Sequence, residues 1–450
     1  MHCIWRCAGE CWLNLAPDKS AKVKNAASSS LTVLLSGWAG AAAVAVTGAL
    51  AAESVIAPGT DALSQAIEEA EPYDVIILSP GTYAGPVVLS KPLSLVGRDG
   101  ARIDGGGEGS VITVAAPDVL IENLEIENSG RNGVDLDSGV KLTERAIRAR
   151  VLKNTLRENL VGADIHGAAD AVVADNEIYG LTLHRMNDRG NGVYVWNAPG
   201  AKIERNHIVG GRDGVFINTS RNNVISGNRM ENLRFAVHYM YTLESRISEN
   251  VSVGNHLGFA LMFSSELEVR NNQSIDDRDH GVMLNFVNDS RIEGNEVRGG
   301  AEKCFFLYNA NDNEITGNRF KGCEIGVHFT AGSANDEIWN NAFIDNRMQV
   351  KYVNTTDLDW SRDGVGNYWS DYAAYDINGD GIGDQPFRPN SAMDQVLWTQ
   401  PAARYLLGSP AVQIVNWTQR AFPALLPGGV IDSAPLMRPP AMANQRGGGG

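Results

Sequence analysis

Cysteine is scarce in this chain. There are five in 450 residues, and Cys3, Cys7 and Cys11 fall in the first eleven positions. That excludes the dense disulfide framework of small secreted domains. Basic charge is also short: 38 Lys and Arg stand against 53 Asp and Glu, a net charge of −15. Nucleic-acid recognition needs a basic face, so nucleic acid is excluded as the main partner, and the acidic surplus reads as a solubility device. Beyond Leu31–Leu50 there is no apolar run long enough to cross a bilayer, so no direct membrane span is expected in the mature chain. A glycine-rich phosphate loop ending in Lys-Ser or Lys-Thr is missing too, which removes an ATP site of that kind.

What is present begins with an export pattern. Lys19, Lys22 and Lys24 precede the apolar stretch, and Ala49-Leu50-Ala51 supplies a small-residue cleavage site. Residues 1–52 are read as a signal peptide with a possible over-called extension before Lys19, and the cysteines beside His2 are expected to leave with it. An exported, soluble protein follows, most naturally in a bacterial periplasm.

The rest of the chain is organised by asparagine. Asn154, Asn176, Asn206, Asn228, Asn250, Asn272, Asn295, Asn318 and Asn341 recur at intervals of 22, 30, 22, 22, 22, 23, 23 and 23 residues. A repeat of this size cannot bury its own apolar face and must stack on its neighbours, as in a right-handed parallel β-helix. Asn suits the turns because it tolerates a left-handed backbone, and stacked amides can also form a ladder. Residues 53–122 read as an N-terminal cap and first coils. A helix over Thr60–Ala70 is capped by Thr60 or Asp61, and short strands follow at Asp74–Leu78, Val87–Leu89, Leu93–Val96, Ile112–Val114 and Val119–Ile121. Explicit coils run over 123–353. Residues 354–437 form a C-terminal extension, in which Val412–Phe422 reads as a helix that caps the far end or docks on a partner, and 438–450 reads as a disordered tail. Cys304 and Cys323 lie nine and five residues past their Asn, a mismatch that favours buried free thiols over a bridge.

Most coils carry a small residue and then a strand, as in Gly214-Val-Phe-Ile-Asn and Gly258-Phe-Ala-Leu-Met. Positions one and three after the small residue are large and apolar, including Val237, Tyr239, Phe259, Leu261, Val282 and Leu284, and are assigned to the core. Alternation then turns positions two and four outward. Position two reads Asp164, Tyr194, Phe216, His238, Ala260, Met283, Phe306, His328; position four reads His166, Trp196, Asn218, Met240, Met262, Asn285, Tyr308, Thr330. A solvated face would be rich in Lys, Glu and Thr, so this stripe reads as a binding surface. Thioethers beside imidazole make a soft site of low charge that prefers Cu(I) to Zn²⁺, Mg²⁺ or Ca²⁺. The candidate ligands are His238, Met240, Met262 and Met283, with His256 and His280 in the adjoining turns. The same residues also fit plain packing under a partner or under the C-terminal segment. The eight extra residues of the 30-residue interval lie in Leu183–Asn191, beside this face.

A second site is suggested by Asp376-Ile-Asn-Gly-Asp-Gly-Ile-Gly-Asp384. Asp376, Asn378, Asp380 and Asp384 match positions 1, 3, 5 and 9 of a calcium loop, with Phe387 where the bidentate Glu would stand. Structural Ca²⁺ is the expectation, an Asx-rich turn the alternative. An enzyme is not expected. The outward columns hold few carboxylates (Asp135, Asp137, Asp164), and the cluster Asp276-Asp277-Arg278-Asp279-His280 lies in a turn; a polysaccharide-acting β-helix enzyme remains the alternative.

The runs Arg234–Thr242, Gly254–Phe263, Asp277–Gly281, Val327–Gly332 and Gly366–Asp371 closely resemble the NosD family, and the resemblance covers nearly all of 53–437. It implies a right-handed β-helix and a periplasmic copper-handling accessory protein for nitrous oxide reductase maturation. It further implies three partners: an ABC-type transporter (permease and ATPase), a copper chaperone and the apo-reductase. No catalytic residue is carried over.

Overall fold

The computed structural model describes residues 51–182, 185–330, 332–352, 356–421 and 429–442. Residues 1–50 of the expected signal segment and residues 443–450 of the expected tail lie outside these residues. Parallel strands need a connection that carries the chain round to the same end, and a coil of 22–23 residues with two further short strands supplies it. Among the described residues the chain winds into three parallel sheets of 13, 12 and 13 strands, in which, after an initial pair of consecutive strands (Glu53–Ile56 and Val75–Leu78), each strand pairs with the one three places on in sequence; a further two-stranded sheet pairs Asp357–Asp359 with Gly429–Ile431. This is the parallel β-helix expected.

The functional columns lie on the 12-stranded sheet, which runs from Val87–Leu89 to Met348–Tyr352. The alternation assigned from sequence holds. Val237, Tyr239, Phe259, Leu261, Val282 and Leu284 are all buried inside the coil. Helix α1 (Ala62–Glu69) closes the first coil with Leu63 and Ile67 buried. Its N-cap is Asp61, which makes no side-chain cap and stands at φ 57°.

The asparagines form the ladder that stacked amides allow, but they do not take the left-handed backbone expected of them. They point into the coil, at most 1 % exposed, and the left-handed residue is the one before each of them: Lys153, Asp175, Arg205, Gly227, Glu249, Asn271, Gly294, Gly317 and Asn340. From Asn154 to Asn341, each backbone N–H donates to the Oδ1 of the ladder Asn in the next coil at 2.9–3.0 Å, ending on Asn367. Each Nδ2 also donates to a strand carbonyl; Asn228 Nδ2 reaches Ile203 O at 2.8 Å. A corner inside a dry solenoid strands backbone groups, and one amide side chain satisfies both kinds at once. The C-terminal segment finishes the series. Asp432 accepts from Asn367 N and Trp369 Nε1, both at 2.7 Å. Trp360 and Trp369, backed by Phe343 and Phe387, plug the last coil. Residues 429–436 therefore cap the far end. Helices α2 (Ala392–Thr399) and α3 (Pro410–Ala421) flank a 3-10 turn over Pro401–Leu406; Tyr405 and Leu406 in the turn and Ile414 and Trp417 on α3 are largely exposed.

The sequence expectation for the cysteines is overturned. Cys304 and Cys323 form a disulfide with Cα atoms 5.7 Å apart. Counting from Asn misjudged them, because Cys323 sits on the corner that leads back toward the sheet bearing Cys304. Asn346 Oδ1 accepts from Cys323 N at this corner and lies 3.6 Å from Cys304 Sγ.

Two predictions follow from the buried corners. Asn228→Ala orphans the buried N–H of Asn206, at about 1–3 kcal/mol, and removes the side-chain bond to the carbonyl of Ile203, at about 1 kcal/mol; urea unfolding followed by circular dichroism is expected to show a loss of roughly 2–4 kcal/mol. In a second ladder Asp277 replaces Asn, accepting from Asn255 N (2.8 Å), Ser252 Oγ and Ser274 Oγ (both 2.6 Å). Burial, only partly offset by these bonds, raises its carboxyl to about 6. The folded state thus holds this proton more tightly than the unfolded chain does. The stability it contributes is full below pH ~4 and is lost as pH rises through ~6. Asp277→Asn is expected to remove that slope and to gain roughly 1–3 kcal/mol at pH 7 in urea titrations compared at pH 4 and pH 7.

Candidate metal-binding face

Four nine-residue strands or their neighbours build the centre of the face: Asp213–Arg221, Phe235–Leu243, Leu257–Ser265 and His280–Asn288. Each bends at a small residue near its start. A Cβ on Gly258 would stand 2.4 Å from Gly281 O, so only glycine fits this close approach. Past the bend, the preceding residues rejoin the outer side. Phe235 and Leu257 pack with Ala260, Met262, Met283 and Phe306 in a cluster separate from the solenoid core. The outward columns are therefore half-covered by their own members. Met240 and Met262 are half-buried, while His238, Met283 and His280 are below a tenth exposed.

The register places the expected soft donors together. Met240 pairs with Met262 and His238 with Ala260, one coil apart, at the ~4.8 Å spacing of parallel strands. Ala260 in turn pairs with Met283, and Met262 with Asn285. His238, Met262 and Met283 thus border one small side chain, with Met240 on the diagonal. The neighbouring long side chains close over Ala260, which is fully buried. His238 stacks on Phe216 (4.4 Å, 11°) and meets the edge of Phe235 (5.1 Å). Its Nδ1 lies 3.1 Å from Asp213 Oδ2, and its Nε2 is buried without a hydrogen-bond partner. Burial raises the Asp213 carboxyl, but the bonds from His238 and Arg234 outweigh burial and hold it below the ordinary carboxylate range.

The two turn histidines separate. His280 contacts the Phe306 edge at 5.1 Å and joins the face, its protonated form disfavoured first by burial. His256 is half exposed on its turn, with Nε2 3.8 Å from Asp279 Oδ2. His328, which sequence reasoning placed in the column but not among the ligands, tilts onto Phe306 at 4.9 Å. Burial, then the charges of Lys351 and Lys303, lower it to about 4, so its ring is neutral near pH 7.

The opposite end of the face is closed. Asp164 is fully buried, 3.9 Å from Lys141 Nζ, and burial pushes it up to about 7. Leu160, Val161 and Leu181 cluster there with Leu136 and Tyr194, beside the insertion, whose residues 183 and 184 lie outside the described set. In the turn cluster Asp277 is committed to its ladder, while Asp279 stands 3.8 Å from His256 Nε2 and 3.4 Å from His280 Nδ1. In the loop Asp376–Asp384, Asp376 accepts from the N–H groups of Gly379, Asp380 and Gly381, Asp384 accepts from Ile377 N, and Asn378 donates to Asp380. The loop closes on its own hydrogen bonds. Among the described residues no group of three or more His, Cys, Asp or Glu is placed to hold a metal, and nothing in the structure supports the expected Ca²⁺.

One feature was not read from the sequence. Tyr241, Phe263 and Phe286 occupy the left-handed position after column four, at φ 55°, 49° and 53°, where neighbouring coils use Thr219 and Asn309. Their exposed rings stack at 5.3 and 5.2 Å, and Tyr308 continues the row at 5.9 Å. The signal was a run of aromatics at the 22–23-residue interval.

Residues 174–374 match a family model described as "Periplasmic copper-binding protein (NosD)". A curated relative from Pseudomonas aeruginosa, named "Probable ABC transporter binding protein NosD", is 41% identical over 377 residues, covering 81% of this chain and 88% of its own. The chain belongs to the NosD family. A second NosD relative carrying the same name, from Stutzerimonas stutzeri, is 39% identical over 81% of this chain and 86% of its own. The periplasm expected from sequence is the compartment of this family of copper-binding proteins. No helix among the described residues is long and apolar enough to cross a membrane. Solved structures share the NosD fold alone. A mutant of the PL6-family alginate lyase AlyGC superposes with TM-score 0.53 at 15% identity, over 73% of this chain and 52% of its own. The surface adhesin PfbA of Streptococcus pneumoniae gives 0.51 at 9% identity, over 65% and 88%.

A left-handed backbone costs a non-glycine residue about 1–2 kcal/mol, and an aromatic pair returns about 0.5–1.5 kcal/mol. Tyr241→Asn is therefore expected to change stability by less than about 1 kcal/mol in urea unfolding. A loss well above that would make the ring row a structural brace.

Proposed function

We propose that the Met/His face holds Cu(I) transiently and passes it on, in a periplasmic accessory protein that docks with an ABC-type transporter during maturation of nitrous oxide reductase. One observation carries this reading: Met240, Met262 and Met283 gather with His238 around the small Ala260, on the outside of the solenoid and half-shielded from water. Thioether and neutral imidazole donors are soft and add no charge, which suits Cu(I) and disfavours hard cations. Each thioether is a weak ligand on a flexible arm, so the cargo leaves by stepwise displacement as a partner's donors replace them. His280, on the same strand as Met283, and the neutral His328, two coils further on, would extend the donor set. His256 contributes at most from the rim.

Membership in a copper-binding family supports the metal, and the relatives' name as ABC transporter binding proteins supports the transporter. The exposed apolar residues of the C-terminal extension, Ile414 and Trp417 on α3 with Tyr405 and Leu406 before it, form the docking end in this reading. The exposed aromatic row beside the copper face would meet the protein that delivers or receives the ion, a copper chaperone or the apo-reductase. A polysaccharide-acting enzyme is disfavoured, because the carboxylates near the face form no facing pair: Asp164 is buried singly, Asp277 is bound into a ladder, and Asp213 and Asp279 are engaged with Arg234 and with histidines.

An anaerobic Cu(I) titration of the mature protein against a colorimetric chelator tests the reading. Met240→Ala with Met262→Ala is expected to weaken binding by at least about tenfold, a 1.4 kcal/mol effect. Ala260→Leu, which removes no donor but fills the space between them, is expected to weaken it as well. Unchanged affinity in the double variant would leave the face as a docking stripe without metal.

A further inference from the structure

We infer that Asp213 is a positioning residue for copper transfer: it holds the His238 ring so that Nε2 is the donor offered to the thioethers. The inference rests on the copper reading above and adds a group that the Met/His pattern does not contain.

Asp213 lies one coil before His238, as the register partner of Phe235, and is fully buried. Arg234 clamps it with two bonds, Nε to Oδ1 at 2.8 Å and Nη2 to Oδ2 at 2.6 Å. The same Oδ2 receives His238 Nδ1 at 3.1 Å, and Arg212 Nε stands 3.8 Å away. An ionised carboxylate only accepts, so His238 Nδ1 must carry a proton. In the neutral ring the lone pair then resides on Nε2. That atom is buried, the residue is 7 % exposed, and no hydrogen-bond partner reaches Nε2. Phe216 on the ring face and Phe235 at its edge prevent it from turning over. Phe235 is itself held under the Arg234 guanidinium at 4.4 Å.

Most buried side-chain polar atoms are hydrogen-bonded, so a nitrogen without a partner calls for a reason, at His280 Nδ1 and His328 Nδ1 of this face as well as at His238. His238 is fixed at Nδ1, packed on two sides and left open at Nε2, the arrangement by which a carboxylate orients a metal-ligating imidazole. Arg234 balances the Asp213 charge, so the orienting group adds no net negative charge that would attract hard cations. The chemistry therefore selects a soft cation that takes a neutral nitrogen beside sulfur.

Two measurements test this. The first uses the metal-free protein with ¹⁵N-labelled histidine, and reads the His238 tautomer from long-range ¹H–¹⁵N correlations. A proton on Nδ1 is expected; a proton on Nε2 would overturn the inference whatever copper does. The second is a double-mutant cycle read by Cu(I)–chelator competition. Asp213→Asn is expected to lower affinity about ten- to a hundredfold, as removal of an orienting partner does, and to add nothing in a His238→Gln background. An equal loss in both backgrounds would show that Asp213 does not act through His238. If the Met240→Ala, Met262→Ala variant binds Cu(I) as the unmodified protein does, the copper reading fails even where the tautomer is as expected. The two failures are thus separable.

Discussion

The structure depends on an amide ladder that no solvent reaches. Each ladder Asn ties the N–H of one coil to the Oδ1 of the next and binds a strand carbonyl with its Nδ2. A slip of one residue would leave these groups unpaired in an apolar interior, at a cost no side-chain contact could offset. The ladder therefore sets the phase of every coil. Phase in turn decides that Val237 and Tyr239 face inward while His238 and Met240 face out. The position of the soft donors is a consequence of hydrogen bonds made on the other side of the sheet.

The outer face departs from an ordinary solvated sheet. Its strands bend at Ala236, Gly258 and Gly281, so Phe235, Leu257 and His280 swing out beside the column and shield it. Met283 and His238 become nearly as buried as core residues while remaining outside the coil. On the copper reading proposed above, a half-dry patch of thioethers would keep bulk water from competing for a soft cation, and its flexible arms could yield the ion. The exposed ring row beside it is placed where the backbone would accept Asn more cheaply, which sets those rings apart from packing residues.

Much of the architecture was legible in the sequence because a solenoid is periodic. The Asn interval revealed the coil, and alternation after the small residue sorted core from surface. Periodicity was silent wherever contacts run between coils or around corners. It assigned Asn to the left-handed turn, although the preceding residue takes that backbone and Asn is needed inside. It judged Cys304 and Cys323 by linear offset, and the corner brought them together. It could not see that Asp213 reaches across a coil to His238, since that bond joins two residues 25 apart that share no motif. The acidic loop at 376–384 was singled out by its calcium-loop spacing, and spacing alone does not show that the same carboxylates also accept from the backbone N–H groups of their own loop.

X-ray absorption at the copper edge of the Cu(I)-loaded protein addresses the central claim most directly, since it reports the atoms around the ion itself. A shell dominated by sulfur with a single imidazole is predicted, and the sulfur contribution should fall when Met240 and Met262 are replaced together. A shell of nitrogen and oxygen alone, or one indifferent to those replacements, would contradict it.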